Sequence, residues 1–452
     1  MDMFLTPLRT TYDFGVIILN TVLGKERTIG GLPAPLIWGY VATLLFMVGD
    51  GLEHGWLSPY LIEQGLTVQQ SATLFTAYGA VLAIASYFSG VLTEAWGPRK
   101  VMLVGMVTWL IGQILFIEFG LKDLNYAVML PTYAIRGFGY PLFCYSFLVW
   151  VTYRSPERIL ATAVGLFWAA WSGGLYVVGS YFPAYMIPKI GYIGLMWSAI
   201  VWVLVGGIVG ILVVKDTQMS KSPKGNAKDK LKSLLSGLTI SIEKPKVAIG
   251  GIVRIINSTG IGAFPIFFPL YLSSEYGYTT EEWLQIWGTM WVANIAFNLV
   301  IPYISDRWLG WRNTIMWIGS VGCGVMTLAM LYTPQIFGYN YWAMMLVGIF
   351  FGIVLTGYVP LTALVSSMAP DQKGSAMAVV NFGAGLAYFI APAIVGAFIG
   401  SLGVDGVMWI FAILYFISAI LMIFMKLPNE ENQDESIAEK QPVKGRKLAE
   451  IK

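Results

Sequence analysis

Charge is what this sequence has least of. Asp, Glu, Lys and Arg make up 12% of its 452 residues, against roughly 25% in an ordinary soluble domain. So few ionisable groups cannot clothe the surface of a water-soluble chain of this length. Histidine occurs once and cysteine twice. Cys144 and Cys323 lie in apolar blocks of opposite halves, which gives neither metal-ligand spacing nor a disulfide framework. No phosphate-cradling glycine loop is visible, and no nucleophile stands beside a base. An enzyme is therefore not expected, nor a cofactor or metal. The formal net charge is only +3, and nothing in it points to nucleic acid.

What the chain does have is hydrophobic length. Apolar residues form 57% of it, gathered in blocks long enough to cross a bilayer, for which about 20 residues suffice. Twelve such blocks are predicted, at 36–61, 71–93, 101–120, 126–151, 160–183, 191–214, 247–273, 283–304, 313–333, 341–366, 375–400 and 405–426. They do not alternate as barrel strands do, so the fold class is an all-α membrane protein. Glycine (50) and proline (21) suit helices that pack closely or bend in lipid.

The cations fall almost entirely on one side of these blocks. Arg9, Lys25, Arg27, Arg99, Lys100, Arg154, Arg158, Arg307, Arg312, Lys373, the lysines from Lys215 to Lys246 and the tail cations share that side, while the opposite loops hold Lys122 and Lys189. By the positive-inside rule that side is cytoplasmic, and both termini lie inside. The expected organisation is a cytoplasmic N-terminal segment (1–35), six helices (36–214), a Lys- and Ser-bearing linker (215–246), six more helices (247–427) and a solvated tail (428–452). Phe14 to Leu23 is apolar but short, with no basic region before it, so it reads as a retained segment lying on the membrane surface.

Within the first block, Gly49-Asp50-Gly51-Leu52-Glu53-His54-Gly55-Trp56 sets two carboxylates and the only histidine in hydrocarbon. Groups so expensive at that depth usually pair, face a cavity or handle protons and substrates. Asp50, Glu53 and His54 stand at i, i+3 and i+4, which places all three along one side of a helix. Asp50 lies roughly 16 Å from the outer end of its span and Arg136 roughly 15 Å from that of span four, at 1.5 Å per residue. The two can meet, and a protonated acid would release the arginine. Proton coupling and a static charge pair are both open, Asp50 and Glu53 compete for the role, and His54 is either a pH-responsive group or a hydrogen-bonded neighbour.

The halves repeat. Gly90, Glu94, Gly97, Arg99 and Lys100 follow the second block, and Asp306, Arg307, Gly310 and Arg312 follow the eighth in the same order. Ser155-Pro156-Glu157-Arg158 likewise matches Ala369-Pro370-Asp371-Gln372. The first of these loops resembles the signature of the major facilitator superfamily, with Glu94 in place of the commoner aspartate. The resemblance implies a carrier of two six-helix halves in a bacterial inner membrane, usually monomeric, in which the loop charges act as a cytoplasmic gate. It also implies a functional arginine in span four, a place that Arg136 takes, although Gly137 follows it sooner than in the family pattern. The antiporter-type Gly-Pro signature is missing from span five, which favours symport or uniport. Gly49 to Tyr60 and Arg136 to Phe143 resemble the bacterial polyol permeases, implying a linear pentitol such as ribitol or D-arabinitol as substrate.

Candidate cavity residues are Trp168 and Trp171 in span five, Asn257 in span seven, Trp287, Trp291, Asn294 and Asn298 in span eight, Tyr358 in span ten and Asn381 in span eleven. Aromatic rings pack on the C–H faces of a polyol while amides answer its hydroxyls; core packing and interfacial anchoring are the plainer explanations. An organic acid carrier, with Arg136 and Arg254 holding a carboxylate, is the alternative within transport. A transporter-shaped membrane sensor is the alternative outside it.

Overall fold

The computed structural model describes residues 28–29, 32–155, 160–214, 240–298 and 300–426. The segment 1–27, Pro156 to Arg158, most of the expected linker and the tail from 427 lie outside the described residues, as does the side chain of Asp371. Apart from a two-residue antiparallel bridge between Thr28–Ile29 and Leu32–Pro33, the regular structure described is helical.

Among the described residues, nine helices are long and apolar enough to cross a membrane. Two of them, Thr162–Val213 and Ala376–Ile423, hold 52 and 48 residues. Straight, they would run about 70–80 Å, more than twice the roughly 30 Å hydrocarbon thickness. Each instead turns back at a glycine in left-handed backbone, Gly191 (φ 69°) and Gly403 (φ 65°). With the shorter apolar helix Pro35–Gly51, the described residues divide into twelve helical stretches: 34–63, 68–96, 98–121, 126–154, 160–190 and 191–213 in the first half, then 245–276, 280–309, 311–337, 341–367, 373–402 and 404–423. The spans expected from hydropathy agree within five residues at every end but one, since span five runs to 190 and not 183.

Repetition extends to backbone detail. Thr67 caps span two with a reciprocal Gln70 bond, and Thr279 caps span eight with Glu282 in the same way. Gly97 (φ 88°, ψ 149°) and Gly310 (φ 74°, ψ 154°) begin spans three and nine in one shared conformation. These glycines mark one end of the bundle, and Gly191 and Gly403 mark the other.

The first span departs from expectation. An unbroken helix over 36–61 is corrected to two pieces, Ala34–Gly51 and Leu57–Glu63, joined by turns at 52–56. There the backbone closes short i to i−3 bonds, His54 N to Gly51 O (3.0 Å) and Trp56 N to Glu53 O (3.2 Å). A Cβ on Gly51 would lie 2.3 Å from Leu175 O, so this glycine admits the backbone of span five. Broken helix in a membrane must find other donors for its carbonyls. Two indoles supply them: Trp56 Nε1 donates to Leu52 O, and Trp283 Nε1 of span eight donates to Gly55 O at 3.1 Å.

The two halves meet closely toward the Gly191 end. Ser58 Oγ donates to Ile266 O at 2.6 Å, and the Tyr181 and Thr289 hydroxyls bond at 2.5 Å. A Cβ on Gly396 would lie 3.3 Å from that of Ala72, and one on Gly79 only 2.0 Å from Tyr388 O. Spans two and eleven are therefore in contact where they cross. The last ring contact between them toward the Gly97 end is Tyr87 with Phe382, at 5.9 Å.

Candidate functional site

Three buried ionisable groups gather where spans one and four cross. Arg136 Nη1 donates to both carboxylate oxygens of Glu53 at 2.6 Å, while its Nη2 stands 3.6 Å from Asp50 Oδ1. Asp50 is held from another direction. Trp109 Nε1 of span three donates to Oδ1 at 2.6 Å, and the Tyr78 hydroxyl of span two approaches Oδ2 at 3.4 Å. The guanidinium lies against the rings of Trp109 and Tyr133, at 4.8 and 5.0 Å from their centroids. The broken helix accounts for this convergence. Asp50 projects from the last helical turn and Glu53 from the turn after it, so one cation meets both without the two lying on a common helical stripe. With both acids ionised, two carboxylates on one guanidinium carry a surplus negative charge, and among the described residues no second cation pairs with it.

Beside this cluster is a small cavity. Asp50, Glu53 and His54 line it from the first half with Phe75, Tyr78 and Tyr133; Gly262, Tyr388 and Pro392 line it from the second. His54 is half-buried, with its ring 5.7 Å from that of Tyr176 and 6.5 Å from that of Tyr388. The hydroxyls of these two tyrosines bond to each other across the halves. Tyr176 also stacks on Trp291 at 3.8 Å, nearly parallel, and meets Trp171 edge-on at 5.7 Å. Trp168, exposed at the side of this group, touches Trp171 and Tyr145.

Arg254 completes the arrangement. It lies on span seven within electrostatic range of the Tyr145, Tyr176 and Tyr388 hydroxyls. Among the described residues no carboxylate pairs with it, and its buried Nε has no hydrogen-bond partner. Asn257, three residues on and so on the same face, has an unpartnered Oδ1. The indole N–H groups of Trp171, Trp287 and Trp291 are likewise buried and unpartnered. Buried polar atoms normally find partners. Two of these indoles, Trp171 and Trp291, both contact Tyr176, so unpartnered donors gather at one cross-half aromatic group.

Other residues selected from the sequence lie apart from this group or are engaged within their own half. The stripe expected on span eight divides: Trp283, Trp287 and Trp291 form the aromatic side, but Asn294 Nδ2 donates to Gly352 O of span ten at 3.1 Å and Asn298 Nδ2 to Asn294 Oδ1 at 3.3 Å. Span ten comes close enough there that a Cβ on Gly352 would lie 2.0 Å from Met290 O. The Tyr358 hydroxyl donates to Ser320 Oγ (3.1 Å) and bonds Ser418 Oγ (3.3 Å), inside the second half. Asn381 is exposed, seven residues and therefore two turns from Tyr388 toward the Gly97 end. In the paired loops Glu94, Arg99, Lys100, Asp306 and Arg307 are exposed. Trp311 Nε1 donates to Asp306 Oδ1 at 2.6 Å, and the Arg307 guanidinium covers the Tyr303 ring at 4.7 Å. Gly90 has open space around it.

Sequence reasoning missed Trp109, Tyr78 and Tyr133 around the charges, and Tyr176 and Tyr388 between the halves. The tyrosine pair was detectable: the two are 212 residues apart, as are Gly191 and Gly403, so extending the repeat from the loops into the spans finds them.

Apolar helical stretches in two repeated halves, twelve of them among the described residues, with buried ionisable groups at their centre, define a multi-pass membrane carrier and not an enzyme. The chain belongs to the major facilitator superfamily, whose family model matches residues 39–361 and 340–451. It is 48% identical over 420 residues to the alpha-ketoglutarate permease of Bacillus subtilis, covering 92% of this chain and 95% of that protein. It is 37% identical over 392 residues to the ribitol transporter of Klebsiella pneumoniae, covering 86% and 92%. Among solved structures, the D-xylose-proton symporter matches with a TM-score of 0.68 at 16% identity, over 86% of this chain and 96% of that one, a likeness of fold.

Proposed function

We propose that the chain imports a small carboxylate, driven by protons, through alternating access of its two halves. Arg254 carries this reading. Arg254 is half-buried between the halves with no carboxylate paired to it among the described residues, an arrangement that suits a ligand supplying the negative charge, and its fork of donors matches a carboxylate. The alpha-ketoglutarate permease, among the relatives named, is a carboxylate carrier by name and shares 48% identity. Arg136 cannot take that role while Glu53 and Asp50 occupy it. This reverses the order of the two substrates expected from sequence.

Proton coupling follows from the surplus charge at Asp50, Glu53 and Arg136. A proton is the smallest charge that cancels it, and the neighbouring cavity gives it a place to enter. With the cation-rich loops inside, the Gly191 end faces outward. The bonds of Ser58, Trp283 and Tyr181 then close the outer path. The Gly97 and Gly310 loops would latch the cytoplasmic side in the opposite state.

A pentitol is the second reading, supported by the aromatic lining at Trp168, Trp171 and Trp291 and by the ribitol transporter relative. Reconstituted vesicles separate the two. Labelled 2-oxoglutarate should accumulate with an inward proton gradient, and unlabelled carboxylates should compete. Accumulation of ribitol or D-arabinitol with no carboxylate competition would establish the second reading, and transport of none of them would favour a sensor.

A further inference from the structure

The charges at the centre are divided between the halves. At the 212-residue offset that relates Tyr176 to Tyr388, Asp50 and Glu53 correspond to Gly262 and Pro265 of the second half, and Arg254 corresponds to Ala42 of the first. The acids thus have no repeat partner beside Arg254, and Arg254 has none beside the acids. Coupling two bound species requires that each change the free energy of the other. A link between the acids and Arg254 has to cross from one half to the other.

We infer that Tyr388 is the positioning residue that makes this link, its hydroxyl joining the acid cavity of the first half to the ligand arginine of the second. The inference rests on the proton-driven carboxylate carrier proposed above. The second half gives the cavity wall only Gly262, Tyr388 and Pro392, and of these Tyr388 alone has a polar side chain. It faces Asp50, Glu53 and His54 of span one there, with Tyr78 and Tyr133 of spans two and four. Its ring stands 6.5 Å from that of His54, and its hydroxyl bonds that of Tyr176 on span five. Both halves fix its backbone: a Cβ on Gly79 would lie 2.0 Å from Tyr388 O, and one on Gly262 would lie 3.8 Å from its Cα. Arg254 packs on the same span, where a Cβ on Gly383 would lie 3.4 Å from Arg254 Cβ. The Tyr388 hydroxyl is within electrostatic range of both Arg254 and Asp50. A hydroxyl carries a single proton and can also accept. With the acids ionised, their surplus charge draws the Tyr388 O–H toward the cavity. Once a proton neutralises them, the same O–H is released to donate to an anion held by Arg254, while the Tyr176 hydroxyl donates to Tyr388 in either orientation. The Tyr388 proton stays on its oxygen throughout, and one donor shared between two sites makes their occupancies interdependent.

The experiment uses the full chain in proteoliposomes with labelled 2-oxoglutarate and, separately, labelled ribitol. Two quantities are compared: accumulation under an inward proton gradient, and counterflow with equal pH on both sides. Tyr388→Phe keeps the ring and removes the hydroxyl. It should slow counterflow without stopping it, abolish accumulation, and flatten the pH dependence of the half-saturating concentration that the parent chain shows in counterflow. Tyr176→Phe keeps the stack on Trp291 and leaves the Tyr388 hydroxyl at the cavity, so it should lower accumulation less. If Tyr388→Phe gives no folded carrier, Tyr176→Phe decides, and accumulation equal to the parent's overturns the inference. Accumulation by Tyr388→Phe at the parent level, or loss of accumulation and counterflow in equal proportion with the pH profile kept, also overturns it and leaves the carrier reading standing. Accumulation of ribitol alone, of neither compound, or of 2-oxoglutarate in the presence of a protonophore overturns both.

Discussion

Arg136 and Glu53 form the tightest ion pair of the core, with one guanidinium nitrogen 2.6 Å from both carboxylate oxygens, while Asp50 stands a further ångström away and leans on Trp109. The two acids are therefore unequal. Glu53 is the counter-ion of Arg136; Asp50 is the more loosely paired and lines the same cavity. Replacing Glu53 by Gln leaves a buried guanidinium short of its main partner, a change that costs about 3–5 kcal/mol where measured in other proteins. Glu53→Gln should lower the thermal unfolding midpoint in detergent and reduce the yield of folded carrier. Asp50→Asn keeps an oxygen for the Trp109 donor, so its folded yield should stay near that of the parent chain, but proton-driven accumulation should vanish. A Glu53→Gln protein as stable as the parent would show that the pair is not structural.

The surplus charge also sets the direction of a pH effect. If the carboxylate pair must gain a proton from outside to be neutral in transit, raising the outside pH lowers its occupancy and slows uptake. Raising the inside pH helps release and speeds it. Initial rates measured while varying one side at a time should show these opposite slopes, and a protonophore should abolish accumulation. Rates indifferent to both sides would argue for facilitated passage without protons.

Arg254 gives the sharpest single substitution. Its loss removes a charged hydrogen-bonding partner of the ligand, typically worth about 1.5–3 kcal/mol, or on the order of 10- to 100-fold in affinity. Arg254→Gln should raise the half-saturating concentration of 2-oxoglutarate by about that factor. Folding should not suffer, since no described carboxylate loses a partner. Arg254→Lys should recover only part of the affinity, because an ammonium lacks the planar fork. A pentitol carrier would instead keep its uptake in Arg254→Gln.

The fold was legible in the sequence because the bilayer imposes a length and a polarity that hydropathy reads directly. The meeting of Arg136 with the span-one acids was legible too, from depth alone. Other features were not, for a physical reason. A helical wheel assumes an unbroken helix, and the break at 52–56 depends on donors from Trp56 and from Trp283, the latter 228 residues away from its acceptor. From sequence, Asn294 and Tyr358 read as cavity residues because amides answer a polyol's hydroxyls and aromatic rings pack on its C–H faces. Neighbouring helices can satisfy them equally well, as Gly352, Ser320 and Ser418 do. Burial without a partner, and not polarity, separates Arg254 and Trp291 from them, and only coordinates reveal that.

The contact of Ala72 with Gly396 tests the alternation itself. The two lie on spans two and eleven toward the Gly191 end, with a Cβ separation of 3.3 Å once Gly396 is given a Cβ. Disulfides need a Cβ separation of about 3.5–4.5 Å, so Ala72→Cys with Gly396→Cys should oxidise readily after a small adjustment. The native Cys144 and Cys323 are both buried and unpaired, which keeps the background low. If transport requires the halves to part at this end, the crosslink should stop uptake from outside, and a reductant should restore it. Substrate should protect the thiols or expose them according to the state it favours, readable as a change in crosslinking rate. Full transport by the oxidised double variant would mean that spans two and eleven stay together through the cycle, and the outer path would then have to open elsewhere, beside Tyr181 and Thr289.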